Sequence, residues 1–88
     1  MLLLISEREV FMDVIVCVNA NRPYFIRVSD GGFIEEKDIA VATFFTDEMD
    51  LVLELRKIRK ENPDKRYIAI TVNNLIFKEP PVNIYRGG

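Results

Sequence analysis

Apolar residues occupy both parities of the stretch 10–18, which reads VFMDVIVCV. Side chains alternate across a strand, so Val10, Met12, Val14, Val16 and Val18 share one face, and Phe11, Asp13, Ile15 and Cys17 share the other. A strand apolar on both faces needs cover on both, which predicts a central place in its sheet. Residues 19–23, NANRP, have the composition of a loop. The run 24–29 then puts Tyr24, Ile26 and Val28 on one face and Arg27 and Ser29 on the other. That is the pattern of a half-buried strand paired antiparallel with the one before it. Asp30-Gly31 is the sharpest local signal in the chain, because a two-residue hairpin turn needs positive φ and these residues adopt it at little cost. The run from Phe33 to Glu36 is therefore expected to fold back on 24–29. Residues 39–45, IAVATFF, read as a further strand, with the small Ala40 and Ala42 leaving room for a close neighbour.

A helix is predicted over about 47–61. Thr46 is placed to cap it, Asp47 and Glu48 complement the positive end of its dipole, and Arg56, Lys57, Arg59 and Lys60 the negative end. Asn62-Pro63 closes it, since the residue before proline avoids the helical region. Met49, Leu51, Val52, Leu53, Leu55 and Ile58 cover more than half of its circumference, wider than the stripe one sheet buries. Beyond the helix, 66–72 reads as a strand with Ile68, Ile70 and Val72 on one face. Asn73-Asn74 suits a tight turn, Leu75-Ile76-Phe77 a returning strand, and Pro80-Pro81 its end. Residues 79–88 read as an extended tail. The apolar start, MLLLI, is too short for a signal or membrane segment and reads as an edge strand, or as an arm exchanged with a second copy. The sum is a single α+β domain over 1–88, a mainly antiparallel sheet of about five strands with one helix on one face.

Composition narrows the chemistry. The chain has 88 residues, 12 basic and 14 acidic side chains and no histidine. A net charge of −2 speaks against a general nucleic-acid or membrane-surface binder. Without histidine there is no imidazole acid–base chemistry, and no Ser–His or Cys–His pair. A single cysteine forms no internal disulfide, which points to a reducing, cytoplasmic home. Cys17 itself lies mid-strand in apolar company and reads as a core residue. The basic run of Arg56 to Lys60 suits phosphate in its sharper reading and dipole complementation plus solvation in its plainer one, which is preferred. Glu35, Glu36, Asp38 and Asp13 are oxygen donors, but their spacing matches no calcium loop, so they read as a solvated acidic turn. No cofactor, metal or catalytic constellation is expected.

The last three residues, Arg86-Gly87-Gly88, resemble the terminus of mature ubiquitin-like modifiers. That resemblance implies conjugation through the carboxylate of Gly88, with Gly87 and Gly88 threading an activating enzyme. It is the alternative reading. The leading one is a non-enzymatic protein-binding module, because a domain this small carries more apolar surface than one core absorbs. Met49, Val52 and Leu53 on the helix, with Leu2 and Leu3, are the candidate interface. A homodimer through the helix and a strand edge is expected. Short chains of this type resemble products of phages and other mobile elements, inhibitors of host defence among them.

Overall fold

The computed structural model describes residues 9–77, 79 and 81–86. Among them are strands β1 (Phe11–Cys17), β2 (Tyr24–Ser29) and β3 (Gly32–Glu36), a helix α1 (Glu48–Glu61), and strand β4 (Tyr67–Asn73). The fold is α+β. All strand pairings are antiparallel and the sheet order is β3-β2-β1-β4.

β1 is central, as its two apolar faces require. Ile15 and Cys17 pack beneath the helix with Tyr24, Ile26, Phe45, Leu51, Ile58 and Tyr67. Met12, Val14 and Val16 pack on the opposite side with Ala42 and Phe44, and Phe25, Ile70, Val72 and Phe77 lean on them. One strand therefore serves two thin cores. The β2–β3 hairpin closes through the pair Ser29–Gly32, and Gly31 sits at φ 76°, where a side chain would be strained.

Residues 39–45 are not the continuous strand their pattern suggests, so the sheet has four strands rather than five. The Asp38 carboxylate accepts from the Ala40 amide at 2.9 Å and starts a 3-10 turn over Ile39–Val41. This local side-chain acceptor competes with strand pairing. Ala42 then ends fully buried while Ala40 is exposed. The next residues fill an opening. β1 and β2 pair at Val16–Phe25 and Cys17–Tyr24 and then diverge. The Thr43 amide donates to the Ile26 carbonyl at 3.0 Å, and Phe45 pairs with Asp13. On the other side, Phe44 pairs in parallel with Ile84 of the C-terminal segment.

Leu75-Ile76-Phe77 does not return as a strand either. The Asn73 side chain accepts from the Leu75 amide at 2.8 Å and caps a 3-10 turn over Asn74–Ile76. The helix begins one residue later than expected. Asp47, not Thr46, is its cap, and the Asp47 carboxylate accepts from the amides of Met49 at 2.8 Å and Asp50 at 3.2 Å. An ionised acceptor at the positive end of the dipole outcompetes a hydroxyl. Among the described residues no helix is long and apolar enough to cross a membrane.

Candidate functional site

The over-wide apolar face of α1 divides between the core and solvent. Leu51 and Ile58 are buried, and Leu55 packs against the same cluster. At about 100° per residue, Met49 and Leu53 each lie about 160° from Leu51, on the far side of the helix. They are 64% and 54% exposed, and Val52 is half-buried on the flank. The same outer arc carries Arg56, Lys57 and Lys60, all exposed, while Glu48, Asp50, Glu54 and Glu61 fall nearer the core side. The outer face thus presents two apolar side chains, Met49 beside the acidic first turn and Leu53 one turn before Arg56 and Lys57. Of the predicted interface residues, the structure brings Met49 and Leu53 together. Leu2 and Leu3 lie outside the described residues, as do Gly87 and Gly88.

The two edges of the sheet differ. β3 has five residues and ends in Glu35 and Glu36. β4 has seven, YIAITVN, with neither a charge nor a proline. Near the far end of β4, Phe11, Leu75 and Ile76 are 61%, 47% and 62% exposed. Alternation marked β4 as a strand, but only its place in the sheet order shows that, among the described residues, it is an edge.

A cleft of about 550 Å³ opens between the hairpin tip, α1 and the C-terminal segment, lined by Arg27, Asp30, Thr43, Glu54, Lys57 and Tyr85 among others. Its charges are mixed, and Arg27 and Glu54 among them are engaged. Arg27 donates to Glu36 at 2.7 Å, and Tyr85 donates to Glu54 at 3.3 Å. The Thr43 hydroxyl accepts from the Val28 amide at 2.8 Å.

The acidic residues singled out from the sequence do not converge. Glu36 holds Arg27, Asp38 caps a turn, and Asp13 accepts from the Thr71 hydroxyl. Among the described residues no group of three or more acidic or sulfur ligands is placed for a metal.

Sequence reading missed one buried polar feature. Register places Tyr24 and Tyr67 on either side of Cys17, in one row across β2, β1 and β4. All three are buried beneath the helix. Burial first, then the neighbouring Tyr67 hydroxyl and Cys17 thiol, raise the Tyr24 phenol well above its ordinary range. Burial also raises Tyr67, against the opposing effect of Tyr24. The approach of the two hydroxyls falls short of hydrogen-bond geometry, so the Tyr67 hydroxyl is buried without a partner among the described residues. Strand alternation put Tyr24 on a face with Ile26, but no signal in the sequence aligned it with Tyr67.

No family model, no curated protein and no solved structure matches this chain.

Proposed function

We propose that the protein acts by binding another protein, without chemistry of its own, through the outer face of α1. One observation carries this reading: Met49 and Leu53, one turn apart and more than half exposed, continue on the same outer arc into Arg56, Lys57 and Lys60. Apolar groups that exclude water at the centre, with charges at the rim, form the usual anatomy of a protein interface. The partner's surface pairs an apolar patch with acidic groups facing the Arg56–Lys60 end, because like charge opposes docking and opposite charge steers it. Regulation or inhibition by contact, as by inhibitors encoded by phages and mobile elements, is the biological form this reading takes.

The test compares tagged wild type with Leu53→Glu in capture from native host cells. A species retained by wild type, released by salt and lost with a folded Leu53→Glu supports the reading. Equal retention by both overturns it. The modifier alternative rests on Arg86-Gly87-Gly88.

A further inference from the structure

We infer that β4 is a self-pairing edge, and that two copies of this chain join their sheets through it, antiparallel about a two-fold axis at Thr71. The inference concerns a different surface from the outer helix face, so either can fail without the other.

β4 turns alternate backbone groups toward β1. The Val18 amide donates to the Arg66 carbonyl at 2.9 Å, and the Asn74 amide to the Val10 carbonyl at 3.0 Å. Backbone direction alternates along a strand, so even-numbered residues of β4 face β1 and Tyr67, Ala69, Thr71 and Asn73 face outward. The Tyr67 carbonyl is already taken by the Arg59 guanidinium at 2.8 Å. The outward amides and carbonyls of Ala69 and Thr71 have no partner among the described residues. Asn73 is still extended, at φ −97° and ψ 133°, so its amide continues the edge, while its carbonyl starts the 3-10 turn.

Native sheets blunt such edges with charge, proline or brevity. β3 does so through its five residues and Glu35 and Glu36. β4 uses none of these devices beyond the Arg59 cap at its first residue. Access is open from both faces. Ala69 and Thr71 are exposed on the helix-facing side, and Ile68 is 37% exposed on the other.

A second copy is the occupant that fits. With the axis at Thr71, Thr71 meets the partner's Thr71 and Ala69 meets the partner's Asn73, giving about six interchain hydrogen bonds, of which about four use free positions and the two from the Ala69 amides share the Asn73 carbonyl with the 3-10 turn. Tyr67, whose carbonyl Arg59 holds, stays outside this register. Ile70 falls beside the partner's Val72, a β-branched pair of the kind that stabilises sheets. The apolar strip of Ile68, Ile70 and Val72 then runs on across the seam. A two-fold axis sets each side chain near its own kind, so any charge on β4 would meet itself, and the strand carries none.

Sedimentation of the full chain over a concentration series reads the association. Wild type is expected to dimerise. Ala69→Pro removes one outward amide and no bond to β1, and is expected to weaken the dimer by about 100-fold or more. Thr71→Lys, which places like charges across the axis, is the second variant should the proline disturb folding. An isotope-filtered cross-peak between the Ile70 Hα and the partner's Val72 Hα, close across a non-hydrogen-bonded pair, reports the register. A wild type that stays monomeric up to about 1 mM overturns the inference. So does a dimer that survives both substitutions or that Leu53→Glu dissociates, since the helix would then be the seam. Pairing of β4 with a different protein while wild type stays monomeric also overturns it.

Discussion

Asp13 and Phe45 exchange two backbone hydrogen bonds, each 2.8 Å long. They form where β1 has parted from β2, so the chain around Phe45 substitutes for the missing part of β2. Side chains alternate here as in any extended chain. Phe45 enters the helix-side core at 1% exposure, and Phe44 enters the opposite core at 0%. This short segment locks both layers to the central strand.

Phe44→Ala and Phe45→Ala are therefore each expected to destabilise the protein by about 3–5 kcal/mol, the range for deleting a buried aromatic side chain. Phe44 stacks edge-on against Phe77 with ring centres 5.3 Å apart, and Phe45 lies 5.0 Å from Tyr85. Urea denaturation gives the loss. A change below about 1 kcal/mol in either variant would show that the segment is not a structural lock.

The parts of this fold legible in the sequence were those set by local pattern. Two apolar parities placed β1 at the centre, and Asp30-Gly31 fixed the hairpin. What escaped was decided by single side chains and distant partners. Asp38 and Asn73 each turned an apolar run into a 3-10 turn by accepting one backbone amide. The surplus on α1 was visible as width, yet its division into buried Leu51 and Ile58 and exposed Met49 and Leu53 depended on where the sheet lay. The open edge of β4 follows from strand order, which no spacing encodes.

Helix capping offers a sharp comparison. Asp47→Ala is expected to cost about 1 kcal/mol, because it strips acceptors from two first-turn amides. Thr46→Ala, one residue earlier and exposed, is expected to change stability by less than about 0.5 kcal/mol. Paired thermal melts decide this, and the reverse order of effects would restore Thr46 as the cap.

Stability should fall in alkali. Tyr24, Tyr67 and Tyr85 are all raised in the folded protein, each chiefly by burial. An unfolded phenol titrates near about pH 10. Below that, both states hold their protons and the full stability is present. Above it the unfolded chain releases protons that the native state keeps, so stability declines as pH rises toward the folded values. Urea midpoints measured from neutral to alkaline pH should show this decline, and Tyr24→Phe should reduce its slope. A flat profile, or a slope unchanged in Tyr24→Phe, would contradict the assignment.

Tyr67→Phe isolates the orphaned hydroxyl. The ring stays in place against Phe33, whose centre lies 6.2 Å away, while an oxygen without a partner is removed. Replacement is expected to be neutral or to stabilise by up to about 1 kcal/mol. A loss above about 1 kcal/mol would mean that the hydroxyl is satisfied in solution.

The C-terminal segment separates the two functional readings. The Phe44 amide donates to the Asn83 carbonyl and the Tyr85 amide donates to the Phe44 carbonyl, both at 2.8 Å. The Tyr85 ring lies on Phe45, and its hydroxyl donates to Glu54 on α1. Removing residues 83–88 strips both partners from the backbone of the fully buried Phe44, and should lower the melting temperature by about 10 °C or more. Removing Gly87-Gly88 alone leaves every one of these bonds, and should leave the melting temperature within about 2 °C. That milder truncation then serves as a folded probe. If the protein is conjugated, epitope-tagged wild type gives higher-mass bands on a denaturing gel and the truncated chain gives none. If it works through α1, wild type gives no such bands and the truncated chain captures the same partner as wild type. Loss of capture on removing two glycines that leave the helix intact would refute the assignment of binding to α1.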